Sequence, residues 1–380
     1  MPLTKSVLIE LLSATWLAPA TPPASLLRAE KAGPYQMDVL FALMFTALWT
    51  RPPVRYGFSL ADTWAWMRYI PALCSSGDLR LCEAWNTLDP HQKTVLSEDF
   101  GVGFTTWFLY RELGFLRYSD TLWVINTLQP GVFQLGRSAK RGPRKSPDYI
   151  AEDRHGNFSV LECKGTQASR QGLIDAIKRG IPQKQNLQAV GGGQLTHSLV
   201  AGLFIPQFHS AEHPVLIVAD PERPSINEVL ERYSRGEIRR GISQIAYAKE
   251  LATLGFAQTA NAVARAKDSL ERVDDAFSID LQMRRPERSI NDDQIVNRRE
   301  YVWDAPTRMA DDLLIEGARF EATLPAVEAD QLRRCSSPDL LGERTRDESE
   351  GSDWTAEVDG AEAVLKSPMG TTFRLSLLLA

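Results

Sequence analysis

Cysteine is scarce in this chain of 380 residues, with only Cys74, Cys82, Cys163 and Cys335, and their intervals form no paired ligand spacing. That excludes a disulfide scaffold and a cysteine-rich zinc module, and it suits a reducing compartment, so a cytoplasmic setting is expected. Histidine is nearly as scarce, at five residues. The one suggestive spacing, His209 to His213, ends at Pro214 and has no third ligand in step with it, which argues against zinc. Long apolar runs are missing as well. Val39–Trp49 is strongly apolar but too short to span a bilayer, so a buried core helix is expected there, and no membrane partner. The apolar stretch Val7–Ala20 contains Glu10 and is preceded only by Lys5, so it reads as a helix with Leu8, Leu11, Leu12 and Trp16 on one face rather than a signal peptide. A Gly-x-x-x-x-Gly-Lys-[Ser/Thr] loop is absent, which excludes a P-loop ATPase, and Gly191-Gly-Gly193 lacks the strand-then-helix setting of a phosphate cradle.

What is present is concentrated near the middle, in Ser146–Lys164. The stretch reads as two short strands joined by a turn at Arg154-His-Gly-Asn157. Side chains alternate across a strand, so Glu162 and Lys164 share one face while Leu161 and Cys163 share the other. A hairpin folding back at the turn brings Asp148 beside that acid–base pair. Two carboxylates and an ammonium converging in this way make a magnesium site with a lysine aimed at whatever the metal holds.

Pro147-Asp148 and Glu162-Cys163-Lys164 resemble the signature of the PD-(D/E)xK, or restriction-endonuclease-like, nuclease superfamily, over roughly Ser97 to Asp220. The resemblance implies an α/β fold with an αβββαβ core and a metal-dependent nuclease, endonucleolytic rather than exonucleolytic. It implies Mg2+ as cofactor, with Mn2+ able to substitute, held by Asp148, Glu162 and the backbone carbonyl of Cys163. Lys164 would then position water or stabilise charge on the phosphate. Members of the superfamily add an acid from the first helix, for which Glu98 is the candidate, with Asp99 and Glu112 as alternatives. Polar groups on the helix after the lysine reach the site in such enzymes. Gln167, Gln171, Gln183 and Lys184 are the candidates here, the last two turned toward the site by a break at Pro182.

Charge and spacing organise the rest. The net charge is −5, but Glu300–Ala380 holds 17 acids against 8 bases, a net of −9, which leaves +4 for residues 1–299. Arg137, Lys140, Arg141, Arg144 and Lys145 cluster just before Asp148 with no acid among them, and are expected either to contact phosphates or to form a solvated loop. Four regions are expected: a helical, tryptophan-rich stretch at 1–90, the nuclease core at 91–222, a helical region at 223–299, and an acidic, β-rich region at 300–380. In the core, Ser97-Glu98-Asp99 reads as a helix start, followed by a first strand near Val132–Leu135 and then the hairpin. A helix at Ala168–Ala189, interrupted at Gly180-Ile-Pro182, and strands at Leu195–Ile205 and Val215–Ala219 complete it. Near the end of the chain, short antiparallel strands are expected at Trp354–Val358, Ala363–Leu365 and Thr372–Leu378. DNA is the expected substrate, with RNA as the alternative, and homo-oligomers or partner proteins encoded nearby are candidate assemblies. Extra regions around a core with no motor suggest prokaryotic anti-phage defence or mobile-element machinery by analogy of fold. The rival is a nucleic-acid- or partner-binding component, of a defence or transposition complex, that does not cut. The acidic C-terminal region is expected to regulate or assemble, or to act as a solubilising appendage.

Overall fold

The structure, a computed structural model, describes residues 3–16, 21–53, 67–73, 76–127, 133–135, 146–185, 187–189, 195–221, 235–264, 272–283, 288–291, 293–310, 313–335 and 353–380. The fold is mixed α/β, with one mixed sheet and a second, antiparallel sheet. The first part of the chain supplies β1 (Thr4–Leu11), α1 (Ala24–Lys31), β2 (Tyr35–Asp38), α2 (Val39–Trp49) and α3 (Pro90–Leu113). The middle supplies β3 (Phe115–Asp120), α4 (Thr121–Thr127), β4 (Phe133–Leu135), β5 (Tyr149–Asp153), β6 (Phe158–Thr166), α5 (Arg170–Gln185), β7 (Leu187–Ala189), β8 (Leu195–Phe204) and β9 (Val215–Ala219). Then follow α6 (Arg235–Thr253), α7 (Ala257–Ala264), α8 (Val273–Gln282), β10 (Arg288–Ile290), β11 (Gln294–Ala310), β12 (Leu313–Pro325), α9 (Ala326–Arg334), β13 (Thr355–Asp359), β14 (Glu362–Lys366) and β15 (Thr372–Leu379).

The main sheet runs β2-β1-β9-β8-β6-β5-β3, with β1–β9 and β6–β8 parallel and the other neighbours antiparallel. A parallel pair needs a crossover, and α5 provides it between β6 and β8. One face of the sheet packs on α5 through Leu173, Ile177, Val200, Phe204, Val215 and Ile217, and the other belongs to the larger core that includes α2, α3 and α6. The α2 helix is buried at every residue, as its unbroken apolar sequence predicts. Among the described residues no helix is long and apolar enough to cross a membrane.

Several expectations are corrected. Residues 4–11 form a strand, not a helix: Val7, Ile9 and Leu11 are buried in alternation, whereas Leu8, which the helical reading puts on the apolar face, is exposed. The sequence satisfies both periods, and pairing along β9 (Leu8↔Val215 to Leu11↔Val218) selects the strand. The first helix of the core starts at Pro90 rather than Ser97, capped by Asp89, whose carboxylate accepts the His91 N–H at 2.8 Å. The Ser97 hydroxyl instead donates back to the Lys93 carbonyl at 2.7 Å inside the helix. The strand that follows is β3, paired with β5 from Phe115↔Asp153 to Asp120↔Tyr149. The segment expected as first strand does contain β4, but β4 pairs with β7 in a separate two-stranded sheet. Helix α5 runs without interruption through Gly180 and Pro182, the proline removing one i→i−4 hydrogen bond in its last turn.

The acidic C-terminal stretch forms most of the second sheet, ordered β10-β11-β12-β15-β14-β13. Strands β13, β14 and β15 match the expected positions, whereas the long β11–β12 hairpin was not foreseen. This sheet joins the larger core directly. Trp354 is buried against Phe45, Trp49 and Phe373, and its indole N–H donates to the Leu116 carbonyl at 2.7 Å.

Candidate active site

The β5–β6 hairpin builds the site from local chemistry. At its turn the Asp153 carboxylate accepts the N–H groups of His155 and Asn157 at 2.8 Å each, and Gly156 takes the left-handed conformation (φ +72°) that closes the turn. The register Tyr149↔Leu161 then sets Asp148, one residue before β5, opposite Glu162. The two acids interlock: Asp148 Oδ2 accepts the Cys163 N–H at 2.8 Å, and Glu162 Oε2 accepts the Asp148 N–H at 3.2 Å. Lys164 donates from Nζ to Glu162 Oε1. Glu162 is wholly buried, while the Lys164 side chain is 22 % exposed, so the site meets solvent at the lysine.

Two close approaches hold this strand end in place. A Cβ on Gly165 would lie 1.7 Å from the Ser97 carbonyl oxygen, so α3 crosses β6 backbone to backbone beside Lys164. A Cβ on Gly180 would lie 3.1 Å from Lys164 Cε and 3.2 Å from Glu162 Cγ, so α5 rests directly on the acid–lysine pair. The glycine that reads as a helix break in the sequence is therefore a packing device.

Electrostatics follow from burial. The Glu162 carboxyl is pushed up to about 7 by burial and then by Asp148, against the pull of Lys164. Burial likewise raises Asp148, opposed by the hydrogen bond from Cys163. Burial disfavours charge on Lys164, but Glu162 and then Asp148 outweigh it and hold the ammonium above the usual lysine range. The Cys163 thiol is raised well above its ordinary value, first by burial, and packs as a core hydrophobe.

Of the other expected site residues, Glu98 lies in the third turn of α3 and is exposed. Its neighbour Asp99 is half-buried, and its charge, after burial, Asp120, Cys163 and Asp148, helps push up the Tyr149 phenol. Glu112 accepts from the Tyr35 hydroxyl at 3.1 Å. Gln167 is taken up in structure, donating to the Lys93 carbonyl at 2.7 Å and accepting from Gln207 at 2.6 Å, and Gln171 donates to Asp175 at 3.0 Å. Gln183 and Lys184 lie in the last turn of the unbroken α5, and their side chains fall outside the described residues. Arg137, Lys140, Arg141, Arg144 and Lys145 also fall outside them. His209 pairs with Glu83 at 3.2 Å.

The sequence reading missed Asp120 and Lys249. Asp120 ends β3, and Lys249 reaches it from α6, Nζ to Oδ2 at 2.5 Å. No amphipathic stripe singled Lys249 out, because α6 is buried at every residue from Gly241 to Thr253, the neighbouring Glu250 included.

Among the described residues no three His, Cys, Asp or Glu side chains converge as a metal-holding group. Magnesium does not need three, since it binds through one or two carboxylates and keeps several waters. Two hard-oxygen carboxylates, interlocked and raised by burial, fit such a cation. No protein family, curated protein or solved structure matches this chain.

Proposed function

We propose that the chain is a magnesium-dependent nuclease of the PD-(D/E)xK kind that cuts DNA phosphodiester bonds endonucleolytically. The observation that carries this reading is the reciprocal interlock of Asp148 and Glu162, with Lys164 on the same face of β6. The order α3, β3, β5, β6, α5, β8 supports it: helix, three strands, helix and strand, with the acid–lysine pair near the end of the third strand. Asp148, Glu162 and the Cys163 carbonyl would hold Mg2+, or Mn2+ in its place. An N–H and C=O of one extended residue leave the same strand edge, so that carbonyl shares the side of the N–H bound by Asp148. The bound ion supplies charge to the scissile phosphate and lowers the pKa of water. Lys164, the partly exposed member, stabilises charge developing on the phosphate. A role in anti-phage defence is the setting most in keeping with a nuclease core enclosed by further elements.

Purified protein incubated with linear, circular and single-stranded DNA, with Mg2+, Mn2+ or EDTA, tests the reading. Nicking of circular DNA that EDTA abolishes and Glu162→Ala removes is expected. Cutting that persists in EDTA, or full activity in Glu162→Ala, refutes it. One observation favours a second reading, a core that binds nucleic acid or a partner without cutting: Lys164 already satisfies Glu162. DNA that is bound but left intact with either metal would select it.

A further inference from the structure

A second ion pair lies behind Asp148. Asp120 is the register partner of Tyr149, so it stands on the Tyr149 face of the sheet rather than on the face of Glu162 and Lys164. Lys249 is fully buried there. Its Nζ lies 2.5 Å from Asp120 Oδ2, donates to the Trp49 carbonyl at 2.9 Å, and sits 5.0 Å from the centre of the Tyr149 ring. A lysine stripped of water persists only where partners fix it.

The contacts run onward to the candidate site by two routes. Thr121, the residue after Asp120, donates its N–H to the Asp148 carbonyl at 3.1 Å. The Tyr149 hydroxyl donates at 2.7 Å to the same Trp49 carbonyl that Lys249 uses. The backbone of Asp148 is thus held at its own carbonyl by the β3–α4 corner and through the next residue by Tyr149, and both holds lead back to Lys249. That backbone sets where the Asp148 carboxylate points.

We propose that Lys249 is a positioning residue of the site, fixing Asp148 through the Asp120–Thr121 corner and through Tyr149. The inference rests on the reading of Asp148 and Glu162 as metal ligands. A purely structural buried ion pair can be exchanged for a neutral pair without further loss. A positioning pair cannot, because the corner it anchors would then be loose, and groups that orient metal ligands typically change metal affinity by about 10–100-fold when removed.

The experiment uses the full chain and Mn2+ as probe, titrated by electron paramagnetic resonance of the free ion, together with thermal unfolding and single-turnover DNA cleavage at saturating Mn2+. Lys249→Met alone leaves the half-buried Asp120 carboxylate without its ion-pair partner, so folding itself is at risk. The informative protein is Asp120→Asn with Lys249→Met, which leaves no unpaired charge. It is expected to unfold near the wild-type temperature while its Mn2+ affinity falls about tenfold or more and the cleavage rate falls with it. Wild-type Mn2+ affinity in the folded double variant overturns the positioning role and leaves the metal-site reading standing. A wild-type protein that takes up no Mn2+ overturns that reading, and this inference with it. Tyr149→Phe cuts one of the two holds with every charge near the site left in place, and should weaken Mn2+ severalfold. Unchanged affinity there also overturns the role, even if the double variant does not fold.

Discussion

The ionisation of Glu162 can be isolated by one substitution. Its carboxyl is wholly buried next to Asp148, and the two effects, burial first, push it from an ordinary value of 4.5 up to about 7 despite Lys164. The folded protein therefore binds this proton more tightly than the unfolded chain does. The stability it contributes is fully present below about pH 4.5 and is lost as pH rises through about 7. At about 1.4 kcal/mol per pKa unit, the loss in cation-free protein by pH 8 is about 3 kcal/mol. Glu162→Gln keeps the shape of the protonated acid and cannot ionise, so it should not show this loss. Glu250, fully buried and also raised to about 7 by burial, is present in both proteins and cancels in the comparison. Urea unfolding at pH 5 and pH 8 in EDTA, followed by tryptophan fluorescence, measures the difference. Wild type should lose about 2.5 kcal/mol more than Glu162→Gln over that interval, because part of the contribution is already gone at pH 5. Mg2+ added at pH 8 should restore wild type and leave the variant unchanged, because the cation supplies the charge that the buried carboxylates lack. Equal pH dependence in the two proteins would refute the argument that burial and Asp148 govern Glu162.

Gly180→Val puts methyl groups where Lys164 Cε, Val200 Cγ1 and Glu162 Cγ already crowd the space, so cleavage should fall at least about tenfold with a stability loss of about 1–3 kcal/mol; wild-type cleavage would refute the packing role. Trp354→Ala removes a buried indole from between Phe45, Trp49 and Phe373 and should cost about 3–5 kcal/mol in urea unfolding. Ending the chain before Trp303 removes the same tryptophan and most of the second sheet, so the shortened protein should be insoluble, and a soluble, fully active fragment would show that the acidic stretch is an appendage. Glu250→Gln should flatten the fall in stability above pH 5, because a carboxyl raised to about 7 loses its contribution as pH rises through that value; an unchanged pH profile would count against its burial beside Ser367.

The parts of this protein legible in its sequence are those in which neighbours along the chain settle the outcome. The β5–β6 hairpin is one, since alternation, the Asp153–Asn157 turn and the spacing of Asp148, Glu162 and Lys164 are all local. The buried α2 helix, β8, β9 and the β13–β15 meander are others, each an unbroken apolar or alternating run bounded by turn residues. Where two local periods fit equally, the sequence could not choose. Residues 4–11 satisfy a helix as well as a strand, and only the waiting edge of β9 decides between them. Capping residues also misled, because Ser97-Glu98-Asp99 has the composition of a helix start but lies inside a helix that Asp89 begins. The identity of the first strand in the sheet depended on which segment reached β5, a pairing between distant parts of the chain. Tertiary structure alone brought Lys249 to Asp120, set Gly180 of α5 on Glu162 and Lys164 and sank Trp354 into the core, because each contact joins separate elements and draws its energy from water excluded on both sides.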